Sequence, residues 1–269
     1  MAEDIFILKK WDEQVNIFIS NLQIIRQKTN KKAVHDIRVA IKKIRSYLRL
    51  KQELTGKKWD DQFAGIKTLF KILGKQRDFE MSLSLLSKYN LRNNQSLPYF
   101  KKFLQINCKF AKQGSKHASL DFNTGQLQIL TANMNASLSD IPNEIVRNKI
   151  RELCVAILKK VRKLSRDFEK NIHEIRKLLK DLYYWLIACP ENPADDLLPL
   201  NSLEKILTDL GRWQDHFIFL HKLSLYRKEV AVKGNDEFDI INTCQEEVRK
   251  IQNKLSTKIK NNLKILLSK

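Results

Sequence analysis

Residues 34–50, VHDIRVAIKKIRSYLRL, set one histidine and a series of cations at spacings that a helix places side by side, and residues 172–186, IHEIRKLLKDLYYWL, do so again. With each residue turned about 100° from the last, His35, Arg38, Lys42, Arg45 and Arg49, with Lys31 just ahead, fall within an arc of about 80°. Val34, Ile37, Ile41, Ile44 and Leu48 occupy the neighbouring arc. In the second stretch His173, Arg176, Lys177 and Lys180 repeat the cationic stripe, and Ile172, Ile175, Leu179, Leu182 and Leu186 the apolar one. A face made of histidine, arginine and lysine cannot be core, because each buried cation needs a partner. Surface helices usually interleave acids for i,i+4 pairing, and here acids are nearly absent from the stripe. The chemistry it offers is neutralisation of an anion; a solvated or internally paired face is the competing reading.

The elements that must carry these stripes read as helices throughout. Only 7 Gly and 5 Pro in 269 residues is too few for a turn-rich β fold. A first helix spans residues 4–28, Asn30 caps the histidine-bearing helix, and Thr55 and Gly56 end it. A third helix runs from Lys57 to Gly74, and Leu73-Gly74-Lys75-Gln76-Arg77-Asp78 leads to another apolar run. Helix four occupies 98–114, and GSKHASLDFNTG, residues 114–125, reads as a linker between halves. A short helical piece follows near 126–138, and Ile141-Pro142 opens a long helix reaching Arg166. Beyond the loop ENPADDLLP come a helix through Leu210, the segment Leu210-Gly211-Arg212-Trp213-Gln214-Asp215, and a last helix over about 236–267. In both L-G-x-x-[RQ]-D segments the glycine is expected to end one helix in the left-handed conformation, with Asp78 or Asp215 capping the next.

The order of features recurs. His35 precedes Gly74 by 39 residues and His173 precedes Gly211 by 38. This self-similarity predicts an all-α protein of two four-helix bundles from an internal duplication, residues 1–125 and 126–269, with a period near 138. Pseudo-twofold packing would bring equivalent helices together and let both stripes face one basic central groove.

A formal charge of +20 makes a polyanionic partner the default inference, against a basic surface kept for solubility. The four isolated cysteines, with no C-x-x-C pair and no secretory leader, are expected to be reduced, buried and cytoplasmic. No run reaches the roughly 18 apolar residues of a membrane span. No nucleotide-loop or H-E-x-x-H motif occurs, nor a paired-carboxylate or nucleophile–base arrangement, so no enzymatic activity and no cofactor is expected. Metal ligation by Asp215, His216 and His221 is disfavoured, since His216 and His221 are five residues apart rather than the three or four that align on a helix.

Single-strand nucleic-acid sites interleave aromatics that stack bases, and the first stripe has none. Recognition therefore reads as phosphate-only. A stripe several turns long suits a flexible, uniformly charged chain whose successive phosphates meet arginine forks and lysine point charges. Linear inorganic polyphosphate fits; duplex nucleic acid is the competitor, because its backbone also responds to basic helices. Beside phosphates both histidines would stay protonated, so binding is expected to strengthen as pH falls through about 7.

The stretches 34–49 and 172–184, with L-G-x-x-R-D at 73–78 and its variant at 210–215, resemble the signatures of the conserved histidine α-helical domain (CHAD) family over nearly the whole chain. The resemblance implies paired four-helix bundles around a basic groove that binds inorganic polyphosphate without catalysis, and a role at polyphosphate granules. By position it assigns His35, Arg38, Lys42, Arg45, Arg49, His173, Arg176, Lys180 and Tyr184, with Lys28 and Arg166 as additions. The second motif departs from the pattern at Asp181, where a basic residue is usual, at Tyr183, where arginine is, and at Gln214. Unequal participation of the two halves follows, with Arg38 outweighing Arg176.

Overall fold

The computed structural model describes residues 5–59, 63–93, 96–229 and 236–268, and within them the fold is all-α. The helices are α1 (Phe6–Gln27), α2 (Lys31–Thr55), α3 (Ala64–Asn93), α4 (Pro98–Asp121), α5 (Gly125–Leu138), α6 (Asn143–Leu164), α7 (Phe168–Leu186), α8 (Leu200–Glu229) and α9 (Asp236–Leu267), with a 3-10 turn at Ser165–Asp167. Among the described residues no helix is long and apolar enough to cross a membrane.

The stripe-bearing helices form for local reasons visible in their ends and faces. The Asn30 side chain accepts the Ala33 N–H at 2.7 Å and starts α2. Gly56, at φ 71°, takes the left-handed conformation that ends it. Val34, Ile37, Ile41, Ile44 and Leu48 are buried, as are Ile172, Ile175, Leu179, Leu182 and Leu186 of α7. The apolar arcs therefore anchor both helices and turn the neighbouring cationic arcs to one side of the core.

Contacts between positions about one period apart run through the molecule. Asn143 Oδ1 accepts the Phe6 N–H from 137 residues away, and Trp185 Nε1 donates to the Ser46 carbonyl from 139. Glu237 accepts the N–H groups of Tyr99 and Phe100 at 3.0 and 3.2 Å, capping α4 from α9, 138 and 137 residues on. Helix α2 packs on α7, and α3 on α8. A twofold relation between halves would produce this pattern.

Among the described residues two apolar cores result, and both draw on both halves. The larger joins α1, α2, α5, α6 and α7 to the first parts of α3 and α8 and the end of α9. The smaller joins Leu86 and Tyr89 of α3, Phe100 and Leu104 of α4, Phe219 and Leu223 of α8, and Ile241 and Val248 of α9. The long helices α3 and α8 thread both cores, and their middles, near residues 74–80 and 214–216, form a polar belt between them.

Two sequence expectations fail here. Helices α3 and α8 run without a break through Gly74 and Gly211, so neither glycine ends a helix and neither Asp78 nor Asp215 caps one. Apolar periodicity continues on both sides of each segment, and helix hydrogen bonding continues with it. Nor are residues 114–125 a linker: α4 extends to Asp121. Ser115 and Ser119 are buried there, Ser119 Oγ donating to the Ser115 carbonyl at 2.8 Å. Arg26 of α1 donates to the carbonyls of Ser119 and Phe122 at 2.8 and 2.9 Å, satisfying the helix end. Small serines let α4 lie close to α1, and the guanidinium supplies the stop.

Candidate functional site

Helices α2 and α7 direct Arg38, Lys42, Arg45, Arg176 and Lys180 toward the polar belt of α3 and α8. Arg38 is the best fixed. Its Nη1 donates to the Phe70 carbonyl at 2.6 Å, and its Cζ lies 4.1 Å from the centre of the Phe70 ring. Lys42 and Arg45 lie over the same ring at 6.0 and 5.6 Å, so one aromatic ring serves three cations. Gly74, one turn after Phe70, makes room: a Cβ there would stand 2.7 Å from Arg38 Nη1. At Gly211 a Cβ would meet nothing within 4 Å.

Burial and mutual repulsion act together on these cations. Burial first, then Arg77, Arg176 and Arg45, bring Arg38 down to about 10, against the pull of Asp78. Burial, with Lys180, Arg38, Arg176 and Arg45, holds Lys42 well below the usual lysine range. Lys180 falls to about 8, from burial and the field of Arg176, Arg38 and Arg45, with Asp215 opposing. Arg45 and Arg176 are lowered too, both chiefly by burial. Among the described residues Lys42, Arg45, Arg176 and Lys180 form no ion pair. Arg45 Nε, Arg77 Nη1 and Arg176 Nε are buried donors with no hydrogen-bond partner among the described residues.

The belt also supplies acids. Burial raises the Asp78 carboxyl, against Arg38 and Lys222, and raises Asp215, against Arg77 and Arg176. Lys222 itself stands 3.4 Å from the centre of the Phe79 ring. Asp181, the acid in the second motif, forms an ion pair with Arg49 of α2 beside the hydrogen bond from Trp185 to Ser46. Arg49 is thus neutralised at the α2–α7 crossing. Tyr184, one turn after Asp181, is buried, its hydroxyl raised to about 12 by burial.

The remaining sequence candidates lie elsewhere or differ in surroundings. Lys177 is exposed and pairs with Glu174 at 3.5 Å. Lys28 is exposed just ahead of α2, and Arg166 borders a cavity of about 440 Å³ with Phe168, Leu263 and Lys264, at the end of α9. His35 is exposed; partial burial and Arg77 hold its pKa below the ordinary 6.5, with Asp36 opposing. Its protonation therefore belongs to more acid pH than the sequence suggests. His173, at the matching position, instead stands edge-on to Trp213 and Phe217. Among the described residues no group of three or more His, Cys, Asp or Glu could hold a metal ion, and the four cysteines are free and buried.

The CHAD domain family model matches residues 10–224. The chain belongs to the CHAD family. The crystal structure of the CHAD domain from the plant Ricinus communis superposes with a TM-score of 0.71, at 16% identity, covering 98% of this chain and 94% of that one. At that identity the likeness is one of fold. Comparison with curated protein sequences gives no match. In this CHAD chain the sequence reading missed Arg77, Lys222 and Phe70 as members of the cluster, and assigned Asp78 and Asp215 to capping. The signal was present: read as one continuous helix, residues 70, 74, 77 and 78 share a face.

Proposed function

We propose that this CHAD chain binds linear inorganic polyphosphate along the cations of α2 and α7, without transforming it, and so docks the protein on polyphosphate stores in the cytoplasm such as granules. The observation that carries this reading is the set of buried, mutually repelling cations with orphaned donors at Arg45, Arg77 and Arg176. Such a cluster destabilises the free protein, and a chain of phosphates would reverse that penalty by supplying charge and acceptors together. Alternating fixed arginine forks and lysine point charges match a flexible polyanion without a required base sequence. The resemblance of residues 34–49 and 172–184 to the CHAD signatures implies the same ligand.

The test is a competition titration at fixed physiological salt, since counterion release dominates such affinities. Labelled long-chain polyphosphate bound to the protein is challenged with single-stranded RNA, duplex DNA and orthophosphate. The expected result is retention against excess nucleic acid, loss of binding in the His35→Ala, Arg38→Glu double variant, and unchanged polyphosphate length after incubation. Ready displacement by duplex at equal phosphate concentration would make the cluster a general polyanion surface. Shortening of the chain would make the protein an enzyme.

A further inference from the structure

Three rings meet where α7 passes α8. Trp213 and Phe217, one turn apart on α8, are stacked at 5.4 Å with planes 16° apart. His173 of α7 stands edge-on to both, at 5.4 and 5.3 Å. Trp213 is 9% exposed and backs the group, while Phe217 is 44% exposed and His173 is open to solvent. Core filling does not account for Phe217, which belongs to neither apolar core, unlike Leu210 and Phe219 on the same helix.

The group is particular to the second half. One period earlier, counting from Gly74 against Gly211, the positions of Trp213 and Phe217 are held by Gln76 and Glu80, joined by a hydrogen bond of 3.0 Å. Phosphate-binding chemistry adjoins the rings on both helices. Arg176, one turn along α7 from His173, has a buried Nε without a partner among the described residues. Arg212, next to Trp213, is exposed, with Asp209 at 3.7 Å.

We propose that His173, Trp213 and Phe217 form a base-stacking subsite. A nucleobase lies on the open face of Phe217, braced by Trp213, with the phosphate next to it directed to Arg176. The ligand class is a phosphate chain that carries a base: a single-stranded oligonucleotide or a free nucleoside polyphosphate. The phosphate contacts rest on the function proposed above; the stacking contact does not.

The experiment uses the full chain at one salt concentration and two ligand pairs matched closely in charge. Oligo(dA) is compared with an abasic deoxyribose-phosphate oligomer of equal length, and ATP with inorganic tripolyphosphate. Binding about tenfold tighter for the base-bearing member of either pair is expected, within the range one stacked base provides. Phe217→Ala should remove that preference and leave affinity for inorganic polyphosphate unchanged. A preference in the oligomer pair alone identifies a strand as the ligand; one in the ATP pair identifies the free nucleotide. Equal affinities within both pairs, or a preference that survives Phe217→Ala, would overturn the subsite. If the preference holds while inorganic polyphosphate fails to bind, the polyphosphate reading falls and the subsite stands.

Discussion

Gly74 and Arg38 fit each other across the α2–α3 contact: the space a Cβ would need at residue 74 is held by the same Nη1 that donates to the Phe70 carbonyl. Gly211, at the matching place on α8, has open space around its own missing Cβ. Two glycines in equivalent segments therefore have different reasons to be glycine.

Alanine substitution separates them. Alanine in a helix interior is favoured over glycine by about 1 kcal/mol. Gly211→Ala should gain up to about that much. Gly74→Ala should gain nothing or lose about 1 kcal/mol, because Arg38 must leave a charge-assisted hydrogen bond. Polyphosphate affinity should fall several-fold in Gly74→Ala alone. Denaturant midpoints and a polyphosphate titration of both variants decide the matter; an identical response would remove the positioning role of Gly74.

Charge reversal should expose the unequal contribution of the two halves. Arg38 is fixed on Phe70 in the field of Arg45, Arg77 and Arg176, with Asp78 opposing, whereas Arg176 has no such anchor among the described residues and has Asp215 as its compensating acid. Arg38→Glu is expected to weaken polyphosphate binding by about tenfold more than Arg176→Glu, a difference of about 1.4 kcal/mol. Titration of both variants at one salt concentration checks it, and the reverse order refutes it.

Much of this arrangement was legible in the chain because the stripes of α2 and α7 obey a single period and their apolar arcs are all buried. The Asn30 cap and the Gly56 stop were equally readable. Gly74 and Gly211 were not, since glycine both ends helices and admits a neighbour's side chain, and only the position of Arg38 tells these apart. Residues 114–121 read as a linker because serine and glycine favour loops; Ser115 and Ser119 are instead buried where α4 meets α1, and their small side chains permit close helix packing. His35 and His173 looked alike in sequence and differ in the fold because Trp213 and Phe217 replace Gln76 and Glu80 beside the second.

Asp181 restrains the cluster at some benefit to the fold. In Asp181→Asn the ion pair with Arg49 is lost, leaving a partly buried guanidinium without its acid. Stability should drop by about 2 kcal/mol, below the range for fully buried pairs because Arg49 keeps some access to water. Polyphosphate affinity should rise several-fold, because Arg49 becomes available and a repelling charge is gone. Thermal unfolding with and without polyphosphate measures both; a folded variant whose affinity does not rise would show that neither Arg49 nor the Asp181 charge bears on binding.

The lysines of the cluster give the free protein a distinctive alkaline profile. Lys180 titrates at about 8 in the fold, against an ordinary 10.5, because burial and adjacent cations oppose its charge. Between those values the unfolded chain holds more protons than the folded one, so stability rises with pH across that window. The destabilisation is fully present below about pH 8 and amounts to about 3 kcal/mol. Lys42, lowered in the same direction, adds to it. Polyphosphate reverses the sign by favouring the charged lysines, so binding near pH 9 should take up protons and affinity should fall as pH rises from 8 to 10. Lys180→Arg, which stays charged, should flatten that fall. Calorimetry in two buffers of different ionisation enthalpy reads the proton uptake directly; none at pH 9 would mean that the bound phosphates do not reach Lys180.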